Sequence, residues 1–175
     1  MTAQRRVAII STGGTIEKTY CARDGALRNA GSVLDMLLSN LEMRDLEISR
    51  IPLLDKDSLE MDDADHDLIA GTVAGLLRDH DGVIVVHGTD RLAETGERIL
   101  GHLLANDLLV APVVLTGAMR PFELRSSDAT QNITEALLAV RLVEPGVYCA
   151  MHGRVLAFPG VTKDHALGTF IPAPE

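Results

Sequence analysis

Three short, glycine-punctuated segments hold the residue types that could do chemistry: Ser11-Thr12-Gly13-Gly14-Thr15-Ile16, His87-Gly88-Thr89-Asp90 and Thr116-Gly117-Ala118-Met119-Arg120-Pro121. Paired glycines let a backbone turn sharply and bring peptide N–H groups against a ligand. The hydroxyls and the carboxylate beside them allow more than binding: a hydroxyl attacks a carbonyl at neutral pH when a base lies in hydrogen-bond reach and something orients that base. Each segment taken singly has a plainer reading. The first is also a tight turn whose hydroxyls satisfy its own backbone. Thr89 and Asp90 are also helix N-caps, although Leu92 and Ala93 stand where Glu or Gln would close a capping box.

What must position these segments is a set of strands that end where they begin. Arg6 to Ile10, Leu46 to Leu53, Gly82 to Val86, Pro112 to Leu115 and Gly146 to Met151 are short Val/Ile-rich runs, apolar on consecutive positions. That pattern belongs to strands covered on both faces, hence to a mainly parallel sheet. Helical periodicity falls between them, over Ser32 to Leu41, Ala64 to His80 behind Asp62 and Asp63 as caps, Arg91 to Leu104, and Ser127 to Leu142. The alternation predicts an α/β fold, a doubly wound, mainly parallel sheet sandwiched by helices, with ligand sites at the carboxyl ends of the strands. After Met151, residues 152–160 read as a short hairpin and Thr169 to Glu175 as an extended end.

The three segments together resemble the bacterial-type L-asparaginases, threonine amidohydrolases whose first domain carries Thr-Gly-Gly-Thr-Ile, His-Gly-Thr-Asp and Gly-Ala-Met-Arg-Pro. Asp57-Ser58-Leu59-Glu60-Met61 falls where that family has a substrate-binding serine loop, and Val161-Thr162-Lys163 where it has a Val-Thr-Lys element. Five motifs in order, around one set of strand ends, span nearly the whole chain.

The resemblance implies roles residue by residue. Thr15 is similar to the primary nucleophile, and Tyr20 to a tyrosine on a mobile loop that assists it. Thr89, Asp90 and Lys163 resemble the second catalytic group. A lysine beside a carboxylate can act as base when it is desolvated, while Asp90 favours the charged ammonium, so the group that deprotonates Thr15 is left open. Ser58, with its neighbour Asp57, resembles the contact to the substrate α-carboxylate, and Asp90 the partner of the α-ammonium. Backbone N–H groups near Gly14, Gly88 and Thr89 are the expected oxyanion donors. The reaction implied is hydrolysis of L-asparagine to L-aspartate and ammonia through a threonyl acyl-enzyme, with no cofactor and no metal.

The family's usual chain is longer, with a second α/β domain, so residues 1–175 are expected to form a single asparaginase-like catalytic domain of a short-chain form, the C-terminal domain being absent. Leu59 stands where many members have glutamine, which removes a polar contact from the amino-acid end. Alternatives from other classes are a non-catalytic amino-acid-binding or regulatory domain, and an amidase for L-glutamine or another carboxamide; one methylene is worth only ~1–3 kcal/mol in a pocket.

Bulk properties agree with a small-molecule enzyme. The 175 residues are 46% hydrophobic and 23% charged, the make-up of one globular domain. A net charge of −9 repels phosphate backbones and anionic lipid, so neither nucleic acid nor membrane is an expected partner. Cys21 and Cys149 match no disulfide framework or zinc spacing and read as reduced thiols. With no apolar run near the ~20 residues of a membrane span, a cytoplasmic location is expected. A homo-oligomer, dimer or tetramer, follows from the resemblance. His66, His80 and His102 read as solvated helix histidines, while His87 and His165 lie nearer the site without an evident third partner.

Overall fold

A computed structural model describes residues 4–23, 25–29 and 33–174. Strand β1 (Arg5–Gly13) lies between β4 (Leu46–Lys56) and β5 (Gly82–Val86), followed by β6 (Pro112–Thr116), β7 (Gly146–Met151) and β8 (Arg154–Ala157), in the order β4-β1-β5-β6-β7-β8. All neighbours pair in parallel except β7 with β8, which are antiparallel. The expected doubly wound, mainly parallel sheet is present. Chain order reverses between β1 and β5, and it is outside such a switch point that open α/β sheets bind ligands.

The strands are apolar at consecutive positions because both faces are covered. Ala8, Ile10, Val83, Val85, Val113 and Leu115 pack on one side, with helices α2 (Asp63–Leu76) and α3 (Leu92–Ala105) supplying Ile69, Val73, Leu92, Ile99 and Leu103. Val7, Ile9, Ile84, Val86 and Val114 face α1 (Val33–Ser39) and α4 (Ala129–Leu142), through Leu34, Leu37, Ile133, Leu137 and Val140. A one-sided sheet would alternate polar and apolar. The Ser32 start expected for the first helix lies outside the described residues. Asp62 caps α2 by accepting from the Asp65 N–H, and Asp65 returns the bond to the Asp62 N–H. Helix α3 instead starts behind Arg91 with no side-chain cap, so Thr89 and Asp90 are not spent on capping.

Two features were not evident from periodicity. Strands β2 (Lys18–Cys21) and β3 (Ala26–Asn29) form an antiparallel hairpin straight after the Thr15 turn. The second, β9 (Val161–Asp164) with β10 (Thr169–Pro172), places Phe170 opposite Lys163. Residues 152–160, expected to form a hairpin of their own, instead supply only the turn and the second strand of one: β7 turns back into β8 through His152 and Gly153, both at positive φ. His152 tolerates this because its ring is held on both sides, by Thr169 Oγ1 at 2.9 Å and by the Asp128 carboxylate at 2.8 Å.

Candidate active site

The carboxyl ends of β1, β5 and β6 meet through backbone, not side chains. Gly14 has φ of +88° and ψ of −176°, a region open essentially to glycine, and a Cβ there would lie 2.6 Å from the Gly88 Cα. A Cβ on Gly88 would lie 2.6 Å from Ser58 Oγ, and one on Gly117 would lie 2.3 Å from the His87 carbonyl. The glycines thus bring three expected segments and the Ser58 loop into van der Waals contact. Thr15 and Thr89 each follow directly on a glycine of this seam.

The two threonines of Thr-Gly-Gly-Thr have different surroundings. Thr12 is fully buried and donates to the Val86 carbonyl at 3.1 Å, a bond that ties β1 to β5. Thr15 opens a single turn of 3-10 helix, is half-buried, and its hydroxyl makes no hydrogen bond among the described residues. Glu17, on the same turn, is buried; burial pushes its carboxyl above the usual range, with Arg50 opposing and Asp55 and Asp35 adding to it.

Thr89, Asp90 and Lys163 come together as one group. Lys163 Nζ donates to Thr89 Oγ1 at 2.9 Å and to Asp90 Oδ1 at 2.6 Å, bridging residues more than seventy positions apart. The lysine is carried there by the β9–β10 hairpin. The Phe158 ring fills the space over Gly96, where a Cβ would lie 2.1 Å away, and the Gly160 N–H donates to Glu97 at 2.7 Å. Buried Phe170 lies across from the lysine in register. A surface lysine by composition is, in the fold, a largely covered ammonium between a hydroxyl and a carboxylate.

Ser58 is buried and its Oγ has no hydrogen-bond partner among the described residues. An unpaired buried hydroxyl is costly unless something arrives to use it. Asp57 is engaged elsewhere: the Lys18 ammonium at 2.7 Å, and then the Leu59 N–H, hold its carboxyl below the usual carboxylate range. Asp57 thus shapes the Ser58 turn and ties it to β2. Leu59 is exposed. Tyr20 is 58% exposed on β2, anchored through its N–H to Glu123 at 2.6 Å, and no hydrogen bond joins it to Thr15.

The reading of His66 as solvated is overturned. His66 is fully buried, because it stands on the same face of α2 as Ile69, Ala70 and Val73, at the three, four and seven spacing that signals a core stripe. Its Nδ1 lies 2.8 Å from Thr95 Oγ1, and the same hydroxyl lies 2.9 Å from Nε2 of buried His87, whose Nδ1 meets the Gly88 carbonyl at 2.8 Å. Thr95 is the third partner that sequence reasoning missed. Burial depresses both imidazoles, His87 to about 4.

Both rings fold neutral and unfold into water, where the usual value is 6.5, so the folded state is the weaker proton binder. Stability from His87 is full above pH 6.5 and is lost as pH falls from there to about 4, and His66 acts in the same direction. For His87 alone the loss between pH 7 and 4.5 is on the order of 2–3 kcal/mol. Urea unfolding at the two pH values is expected to show it, and a flat profile over that interval would contradict neutral burial.

The loop after β6 is held from behind by Asp128. Burial raises its carboxyl, but the Met119 N–H, His152 and the Arg120 N–H outweigh that and leave it below the usual range. A cavity of about 740 Å³ lies instead at the amino ends of the strands, between Arg5, Arg6, His80, Asp81, Arg141 and Pro145, and none of the motif residues line it. Among the described residues no three His, Cys, Asp or Glu side chains converge as a metal site, and no helix is long and apolar enough to cross a membrane.

Comparison with known proteins places the chain among relatives of one family. The family description "Asparaginase, N-terminal" matches residues 6–170. An L-asparaginase from Thermococcus kodakarensis is 33% identical over 166 residues, 93% of this chain and 49% of that protein. The solved thermostable L-asparaginase of the same organism superposes with a TM-score of 0.82 at 28% identity, covering 95% of this chain and 51% of that one. One subunit of the glutamyl-tRNA(Gln) amidotransferase from Methanobrevibacter smithii is 29% identical over 153 residues, 86% of this chain and 34% of that protein. The chain therefore spans about half the length of these L-asparaginases and about a third of the amidotransferase subunit.

Proposed function

The chain belongs to the asparaginase family, matching its N-terminal domain, and from that premise we propose that it hydrolyses L-asparagine to L-aspartate and ammonia with Thr15 as nucleophile. The observation that carries the proposal is the contrast at the seam. One threonine, on the Gly14 turn, has a hydroxyl unbonded among the described residues; the turn packed against it carries a second threonine, already joined to a covered lysine that also holds an aspartate.

In this reading the Ser58 hydroxyl, left unpaired in the buried loop, receives the substrate α-carboxylate, and Asp90 receives the α-ammonium. With both ends held, the side-chain amide carbon rests against Thr15 Oγ1. The Thr89–Lys163–Asp90 group takes the Thr15 proton as the Oγ1–C bond forms, and peptide N–H groups of the Gly14 and Gly88–Thr89 turns stabilise the oxyanion. The C–N bond then breaks, and ammonia leaves with the transferred proton. Water attacks the threonyl ester in the second step, freeing aspartate and restoring the hydroxyl. Tyr20 joins when the β2–β3 hairpin closes over bound substrate. A cytoplasmic protein acting on a small molecule fits the acidic chain and the unpaired Cys21 and Cys149, and a homo-oligomer follows from the family resemblance.

The similarity to an amidotransferase favours glutamine as a second substrate, since the same chemistry one methylene further out releases ammonia from it. Ammonia release from L-asparagine and L-glutamine by the purified protein decides between them. Turnover of either establishes the amidohydrolase. Binding of aspartate or asparagine without turnover of either makes the domain an amino-acid sensor and ends the proposal.

Ser58→Ala separates substrate binding from folding. Removing a buried hydroxyl that has no partner among the described residues is expected to leave Tm unchanged or slightly higher. Losing a hydrogen bond to a carboxylate costs about 1.5–3 kcal/mol, so KM for asparagine is expected to rise roughly 10- to 100-fold with kcat little changed. A lower Tm with an unchanged KM would place the carboxylate elsewhere.

A further inference from the structure

We propose that the buried His66–Thr95–His87 chain is a positioning device that sets the plane of the Gly88–Thr89 peptide, and with it the N–H and hydroxyl that Thr89 offers at the site. The inference rests on the amidohydrolase reading of that site and adds to it His66 and Thr95, which lie outside the five motifs, together with a task for the His87 ring of the His-Gly-Thr-Asp segment.

The direction of the chain follows from donor and acceptor counting. The Gly88 carbonyl can only accept, so His87 Nδ1 carries the proton. In a neutral ring Nε2 is then a bare acceptor, so the one Thr95 hydroxyl proton goes to it at 2.9 Å and not to the Arg91 carbonyl at 3.2 Å, which the Thr95 N–H already serves. The Thr95 oxygen in turn accepts from Nδ1–H of His66. His66 Nε2 is left as an acceptor with no donor, and that atom is one of the buried polar atoms without a partner among the described residues. Glu94 Oε1, 3.8 Å away, is also an acceptor and cannot satisfy it. The orphan at the far end is what a one-way chain leaves behind. All three side chains are fully buried, and the two rings lie stacked with centroids 6.4 Å apart.

The Gly88 carbonyl and the Thr89 N–H belong to one planar unit, so a bond that fixes the oxygen fixes the N–H on the opposite edge. Hydrogen bonding at the carbonyl also polarises that N–H, making it a stronger donor to developing negative charge. The rest of the segment has no freedom to compensate. The His87 N–H donates to the Thr116 carbonyl at 2.8 Å, and Gly88 is pressed between Gly14 and Ser58. Thr89 Oγ1, which receives Lys163, hangs from the same peptide.

Thr95→Val keeps the size and β-branching but deletes the hydroxyl, while Thr95→Ser keeps the hydroxyl. Thr95→Val is expected to lower kcat on the active carboxamide about tenfold with KM within about twofold, and Thr95→Ser to restore kcat to within about threefold. Long-range 1H–15N spectra of the imidazoles are expected to show His87 in the Nδ1–H tautomer in the wild type, with the Thr89 amide resonance displaced in Thr95→Val and not in Thr95→Ser. Equal kcat in the two variants, or a fall in both with parallel loss of Tm, makes the chain ordinary core and overturns the proposal. If the wild type releases ammonia from neither substrate, the amidohydrolase reading fails separately, and the tautomer and the Thr89 resonance then decide the positioning role: both as expected support it, either one absent overturns it.

Discussion

Thr15→Ala is expected to abolish ammonia release, lowering kcat/KM by on the order of 10⁴-fold or more, because removing a nucleophile removes the covalent path and leaves only binding and the oxyanion donors. The position makes this a clean deletion. Thr15 is half-buried and its hydroxyl bonds to nothing among the described residues, so the alanine variant leaves no stranded partner and should fold with an unchanged Tm. Aspartate affinity should stay within about threefold, since Ser58 and Asp90 are untouched. Thr12→Ala is the informative companion. That hydroxyl ties β1 to β5 through the Val86 carbonyl, so its loss is expected to cost roughly 1 kcal/mol of stability while sparing the chemistry. If instead Thr12→Ala is inactive and Thr15→Ala turns over, the two threonines have exchanged roles and the mechanism is wrong.

Gly14→Ala is expected to damage both stability and activity more than any substitution on the site's rim. Two costs add. A φ of +88° with ψ near 180° is a region that a side chain occupies at roughly 1–3 kcal/mol, and the new methyl would lie 2.6 Å from the Gly88 Cα. Backbone cannot rotate away as a side chain can, so overpacking adds roughly 1–3 kcal/mol more. Together these lower Tm by roughly 5–20 °C at about 2–4 °C per kcal/mol for a domain of this size. Turnover should fall further than folding, because relief of the clash opens the seam between the Thr15 and Thr89 turns. Gly101→Ala is the control: it lies in α3 with open space around it, and alanine there should be neutral or stabilising by up to about 1 kcal/mol. Equal behaviour of the two variants in thermal melts would mean that the close approach of Gly14 to Gly88 carries no energy.

Sequence reading failed at two kinds of place, and for separate reasons. The β2–β3 hairpin pairs Lys18–Cys21 with Ala26–Asn29, runs too short and polar to show a period of two, and its order comes from partners outside it, such as Glu123 on the Tyr20 N–H and Asp57 on Lys18. Residue type alone marks His66 as solvated, although its spacing to Ile69, Ala70 and Val73 places it on the buried face of α2. Periodicity outweighs polar identity at this position, because Thr95 and the helix packing together bury the ring.

By itself the sequence determined the order and type of the parallel strands β1, β4, β5, β6 and β7 and of the helices between them, and the motif segments at their ends. Consecutive apolar residues in runs such as Gly82 to Val86 are a local signal for a strand covered on both sides, and glycine beside hydroxyl is a local signal for a turn that a ligand can approach. Only the tertiary structure decided which turns meet. The order β4-β1-β5-β6 puts Gly14 against Gly88, the β9–β10 hairpin delivers Lys163 to Thr89 and Asp90, and Ser58 is shut in with no partner for its hydroxyl among the described residues. Those relations join residues dozens of positions apart, and they depend on how faces pack around the sheet, which no window of neighbouring residues encodes.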